Sequence, residues 1–247
     1  MNLKRRQWLA TACGVGTGVV LLGCQLKSQK DLDEEASEKA GQENAGTEVN
    51  AVEDLMREHG VLRRCILVYQ EVVPRLRNNA ASVPPDALEK TAKLFQAFGQ
   101  DYHEKKLEET HIFPPVSKAG GIVAAYVGVL SAQHQRGREI TEYILSASAS
   151  PKLAGFAALE LARVLESFVR MYAHHAAIED TIIFPAWKQT MTKDQIDFMS
   201  DKFEEIEHDE FGKDGFEDAL KRISDVETTL GFADLGQFTA PAPPASK

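Results

Sequence analysis

At 247 residues the chain can hold one large domain or two small ones. With 43% hydrophobic and 26% charged residues it has an ordinary soluble composition. A formal net charge of −9, with no basic patch, argues against a nucleic-acid partner.

The first 24 residues, MNLKRRQWLATACGVGTGVVLLGC, have a basic start, an apolar stretch and a small-residue end, the layout of a secretory signal. The apolar stretch is too short to span a bilayer as a mature helix. Arg5-Arg6 followed by Gln7-Trp8-Leu9 resembles a twin-arginine export signal, and Leu21-Leu22-Gly23-Cys24 resembles a lipobox whose cysteine carries the lipid. Loss of the signal removes Lys4, Arg5 and Arg6 and no acidic residue, so the remaining chain is more acidic. Cys13 leaves with the signal and Cys24 is the anchor. Cys65 is then a lone thiol, read as a small core residue, and no cysteine zinc motif exists. Residues 25–50 are polar and without aromatics, too poor in apolar surface to fold alone, and read as a tether.

From residue 51 the pattern is helical. Val52, Leu55, His59, Leu62, Ile66, Tyr69 and Val73 recur at steps of three and four, the spacing of one helix face. Pro74 and Pro84-Pro85 are expected to close this helix and open the next. A second helix is predicted from about Asp86 to Ile112, ended by Pro114-Pro115 and Gly120-Gly121. The third carries Val123, Val127, Leu130, His134, Gly137, Thr141 and Ile144 on one stripe. Ser150-Pro151 reads as an N-cap with proline at the first helical position. The fourth has Ala154, Ala157, Leu161, Val164, Phe168, Met171 and His175 in register and is expected to end at Pro185. Thr192-Lys193-Asp194-Gln195 fits a capping box for a further short helix. No segment shows strand alternation. The fold class predicted is all-α, an up-down-up-down four-helix bundle with an additional C-terminal helical segment. The implied organisation is a signal at 1–24, a tether at 25–50, the bundle at 51–190, a helical extension at 191–235 and a loose tail at 236–247.

The bundle contains a repeated phrase. YHEKKLEETHIFP at 102–114 and YAHHAAIEDTIIFP at 172–185 superpose with Phe113 on Phe184, Glu108 on Glu179, Glu109 on Asp180 and His103 on His174. Three apolar stripes place a histidine where an apolar residue is expected: His59, His134 and His175. The second helix has His103 beside its stripe, with Glu104 and Glu108 close by. One inward histidine is an ordinary buried side chain, but four on four helices need a common partner, because unpaired polar groups in a core are costly. A metal centre supplies one. His175 and Glu179 are i,i+4 and share a helix face. The stripe favours His175 and the repeat favours His174; the stripe decides which side chain faces inward. His103 and Glu108 are i,i+5, separated by about 140° on a straight α-helix. Either Glu104 assists or the helix is wound wider there.

EDLMREHGVLRR, YHEKKLEE…IFP, AQH at 132–134 and HHAAIEDTIIFP, in this order, resemble the hemerythrin-like cation-binding domain over roughly Ala51 to Lys188, and EHDEFGKDGFE resembles a segment that follows it in bacterial members. The resemblance implies a four-helix bundle holding a non-haem centre of two iron ions. Carried over, its ligands are His59, His103 with Glu108, His134, and His175 with Glu179, both carboxylates bridging. The family's H-x-x-x-H on the third helix is here His134-x-x-x-Arg138, so one ligand is missing; Glu104 or His208 could replace it. The resemblance implies binding of O₂ or a related small ligand, for carriage, storage or sensing. Two alternatives stand beside it: a di-iron oxidoreductase acting on peroxide or nitric oxide, and a lipoprotein adaptor with a structural metal. The expected place is an extracytoplasmic membrane face, held by the lipid on Cys24. The sequence names no redox partner.

Overall fold

The computed structural model describes residues 49–149 and 154–244. The export signal, the lipobox, most of the tether, the Ser150-Pro151 cap and the last three residues lie outside the described residues. The described residues from Ala51 onward form one compact unit. It is all-α, with no strand among the described residues.

Helix α1 spans Ala51–Asn79. Its inner face is the predicted stripe, with Leu55, His59, Leu62, Ile66, Tyr69 and Val73 all buried. The helix does not close at Pro74 but runs through it for five residues. Proline's fixed φ suits a helix, and the hydrogen bond it removes is outweighed here by burial of Leu76 and by Arg75, which sits 4.4 Å over the Phe232 ring.

The second stretch is one continuous rod: α2 (Pro85–Leu94), a π-helical segment (Phe95–Ile112) and α3 (Phe113–Ala119). It opens, as expected, with Pro85 at its first turn. Pro114-Pro115 do not end it. They occupy the first turn of α3, where a missing N–H costs little, and the helix stops at Gly120, whose φ of 77° suits glycine.

Helix α4 is Gly121–Ser148 and α5 is Gly155–Ile178. The latter continues through a short π segment (Glu179–Ile183) into α6 (Phe184–Gln189), so the fourth stretch passes Pro185 for the same reason. Among these stretches α1 packs on α5, α5 on α4, α4 on the second rod, and that rod on α1. Phe168 sits where they meet, with Tyr69, Phe95 and Tyr172 around its ring at 4.7–5.6 Å. Each such buried aromatic contributes about 1.5–3 kcal/mol.

The C-terminal extension is two helices rather than one short one. Helix α7 (Lys193–Phe211) begins with the predicted capping box, Thr192 accepting from Gln195 N–H and Gln195 from Thr192 N–H. Gly212, at φ 64°, ends it, and α8 (Gly215–Leu230) follows. Both pack on the rest of the unit. Ser200 Oγ accepts from the Ala51 N–H at 2.8 Å, Arg64 pairs with Glu227, and Trp187 stacks on Phe203 with ring centroids 5.7 Å apart. No helix among the described residues is long and apolar enough to cross a membrane.

Candidate metal centre

The repeated phrase has a backbone cause. In each copy the phenylalanine N–H donates to the glutamate carbonyl five residues back, Phe113 to Glu108 and Phe184 to Glu179. This is π-helical bonding, often found at functional sites. In the second rod the wide winding covers the whole interval from His103 to Glu108 and brings these i,i+5 residues together: His103 Nε2 is 3.4 Å from Glu108 Oε1. In the fourth stretch the π segment starts at Glu179, so α-helical spacing holds up to it. His175 Nε2 then lies 3.0 Å from Glu179 Oε2 across i,i+4. The extra residue between His103 and Glu108 accounts for the one-position slip in the repeat. His175 is buried and His174 exposed.

Seven of the eight residues singled out from the sequence are buried together: His59, His103, Glu104, Glu108, His134, His175 and Glu179. The donor atoms of Glu108, His134, His175 and Glu179 all lie within 4.8 Å of one another, and so do those of His59, His103 and Glu108, and those of Glu104, Glu109 and His134. The eighth, His208, is exposed on α7 and belongs to none of these groups. Although α7 packs on the π segment of the second rod, it does so through Phe203 against His111 and Phe211 against Phe98 and Tyr102, and His208 stays exposed. His111 is half-buried beneath the extension; its carbonyl accepts from Trp187 Nε1.

The histidines are held from outside. Asp180 Oδ1 is 2.7 Å from His59 Nδ1, and Glu109 Oε1 is 2.9 Å from His134 Nδ1. Glu58 Oε2 is 2.7 Å from His103 Nδ1, and Gln133 Oε1 is 2.9 Å from His175 Nδ1. In every case Nδ1 is engaged and Nε2 faces the centre. That is how outer partners orient imidazole ligands. Asp180 and Glu109 are in turn each bonded to an arginine one turn beyond the histidine they hold, Arg63 and Arg138. Sequence reasoning gave none of the six this role, although it had set Glu109 on Asp180 in the repeat and marked Arg138 as a departure. The available signal was His-x-x-x-Arg, written twice, each time with a Glu or Gln just before the histidine.

Arg138 thus has work to do where the family pattern has a histidine. Its guanidinium bonds Glu109 and lies 3.6 Å from Glu104 Oε2, while Tyr172 donates to Glu104 Oε1 at 2.8 Å. The preceding Gly137 makes room for that tyrosine: a Cβ there would stand 1.9 Å from Tyr172 Oη. Gly137→Ala should therefore lower the melting temperature. Overpacking costs about 1–3 kcal/mol, against the ~1 kcal/mol that alanine returns in helix propensity. An unchanged or raised melting temperature would show that Tyr172 is not held as described.

Electrostatically the cluster is frustrated without a cation. Burial pushes the Glu179 carboxyl well above its usual range, and the nearby Glu108 adds to the rise. Burial works the same way on Glu108, but His103 and His134 overcome it and hold that carboxyl well below its usual range. Burial also lifts Glu104. Burial opposes charge on His134, yet Glu104, Glu108 and Glu109 raise its pKa to about 10. His175 is pushed down to about 4 by burial and then by His134.

Both oxygens of Glu108 and of Glu179, with His103 Nε2 and Glu104 Oε2, are buried and make no hydrogen bond within the described residues. Their neighbours are imidazole Nε2 atoms at 3.0–3.9 Å, or the Arg138 guanidinium. Buried polar atoms left in this way are costly, and cations held among these groups would offset that cost.

The hemerythrin HHE cation-binding domain model matches residues 50–187. The chain belongs to this family. The repeated phrases and the four inward histidines all lie within the matched residues of this hemerythrin HHE domain, and α7 and α8 lie beyond it. Uncharacterized proteins of Mycobacterium bovis and of two Mycobacterium tuberculosis strains are 40% identical to it over 192 residues, which is 77% of this chain and 74% of each relative. Comparison with solved structures finds no match.

Proposed function

We propose that this is a non-haem di-iron protein that binds O₂ or a related small ligand. The observation that carries the reading is the set of buried carboxylate oxygens of Glu104, Glu108 and Glu179 left without hydrogen bonds among the described residues, with imidazole Nε2 atoms converging on them. His59, His103, Glu108, His134, His175 and Glu179 would hold two irons, with Glu108 and Glu179 shared between them and Glu104 standing in for the histidine absent at Arg138. Imidazole and carboxylate donors together suit iron. When bound, iron supplies a redox-active centre with a position for a small ligand. The protein's part is to fix the imidazoles through Asp180, Glu109, Glu58 and Gln133, to hold Glu104 through Tyr172, and to keep water out. A cavity of ≈ 10 Å³ lies among His59, His103, Glu108, Tyr172 and His175. It lies between the donor side chains themselves, where the cations would sit, and leaves no room for an organic substrate among them. In this reading the four long helical stretches form the up-down-up-down bundle typical of such centres. The Cys24 lipid would tether it to an extracytoplasmic membrane face, a proposal that rests on the signal sequence alone.

The test is a visible spectrum of the anaerobically iron-loaded chain before and after admitting O₂. A band that appears in O₂ and bleaches under vacuum is expected. Irreversible oxidation would replace O₂ binding with the second reading, an oxidoreductase acting on peroxide or nitric oxide. Glu104 favours that alternative, since an anionic oxygen donor in place of an imidazole stabilises the ferric state. Turnover with an added reductant would identify it.

A further inference from the structure

The two repeated phrases build two halves that correspond residue by residue. Arg63–Asp180–His59 answers Arg138–Glu109–His134, and Glu58 on His103 answers Gln133 on His175. The halves differ in what they offer a cation. Around His134 and His175, four donors are already gathered. His134 Nε2 is 3.1 Å from His175 Nε2 and 3.3 Å from Glu108 Oε2, and His175 Nε2 is 3.0 Å from Glu179 Oε2. Donors bound at about 2.1 Å and at right angles around a metal are about 3 Å apart, so this group needs little rearrangement. Around His59 and His103 the donors are sparser: Glu108 joins them, and Glu179 Oε2 is 3.6 Å from His59 Nε2.

The residue after each histidine widens the difference. Glu104 follows His103, and its carboxylate reaches the neighbourhood of His134 in the other half. Ala176 follows His175 and gives nothing to the His59 side. The His134 side therefore has carboxylates from Glu104, Glu108 and Glu179 within reach, and the His59 side shares two of these.

We propose that the centre loads in order. A first divalent cation is taken by Glu108, His134, His175 and Glu179, with Glu104 beside them; a second binds more weakly at His59 and His103, because it must share carboxylates already committed to the first. The proposal rests on the metal reading above and adds the inequality of its two halves.

The test uses the full chain stripped of metal and titrated anaerobically with Mn(II), followed by electron paramagnetic resonance and equilibrium dialysis. The first equivalent should give an uncoupled Mn(II) spectrum, and the second should convert it to a coupled pair while binding about tenfold or more weakly. His59→Ala should keep the first ion and lose the second. His175→Ala should weaken the first by about tenfold or more, and Glu104→Gln, a milder change of shape, by about tenfold. Coupled pairs below one equivalent, or equal weakening of the first ion by His59→Ala and His175→Ala, would overturn the order and leave the two-ion reading standing. No bound Mn(II) at any concentration would take down both.

Discussion

Replacing Glu179 with leucine is expected to stabilise the metal-free chain and to abolish its stabilisation by Fe(II). Glu179 is fully buried, and neither carboxylate oxygen accepts a hydrogen bond from the described residues. Leaving such a group unsatisfied costs about 1–3 kcal/mol. Leucine fills similar space without polar atoms, so the metal-free variant should melt a few degrees higher. Added Fe(II) should reverse the ranking. An ion at a hundred times its dissociation constant stabilises the wild type by about 2.7 kcal/mol, while the variant has lost a donor from the densest group. Thermal melts of both chains with and without Fe(II) check this. If Glu179→Leu melts lower in both conditions, the carboxylate serves packing rather than a cation. Lys188→Ala, on exposed Lys188 of α6 outside the cluster, should behave as wild type.

The stability of the metal-free chain should peak on the acid side of neutral and fall on both sides. His175 is held neutral, its pKa pushed down to about 4 by burial and by His134 3.1 Å away. An unfolded histidine titrates near about 6.5. The stability linked to His175 is thus complete above that value and is lost as the pH falls from it towards about 4. His134 behaves oppositely. Burial disfavours its charge, but Glu104, Glu108 and Glu109 raise its pKa to about 10. Its contribution is complete below about 6.5 and is lost as the pH climbs towards 10. Glu179, raised by burial and by Glu108, contributes stability that is complete below its unfolded pKa of about 4.3 and is lost as the pH rises above it, so it offsets part of the gain from His175 and adds to the loss from His134. Iron should abolish that alkaline limb, because the ion takes the place of the His134 proton, and its binding should release protons. Urea denaturation across this range, with and without Fe(II), measures both effects. A metal-free stability that rises steadily with pH would contradict the charge assignment at His134.

Much of the inward-facing chemistry was legible in the chain because it obeys helical periodicity. His59, His134 and His175 stood on apolar stripes, and all three are buried. The awkward spacing from His103 to Glu108 pointed to a wider winding, which the π segment supplies. The same segment explains why repeat and stripe disagreed over His174 and His175, which no local pattern could show. The helix ends were misjudged at Pro74, Pro114 and Pro185, since a proline breaks a helix only when nothing downstream rewards continuing it. The clamps of Asp180 and Glu109 were not readable in their pairing. Asp180 lies 121 positions from His59 and meets it only after the fold brings two helices together. His208 looked eligible by type, yet α7 presents it to solvent.

The most direct test is iron analysis of the purified chain from residue 25 onward, as isolated and after anaerobic loading with Fe(II). The account predicts near two irons per chain, falling by one or more in Glu179→Leu and in His175→Ala. No iron even after loading, with the fold intact, would contradict it and leave the repeated phrase as a packing device or the seat of a different metal.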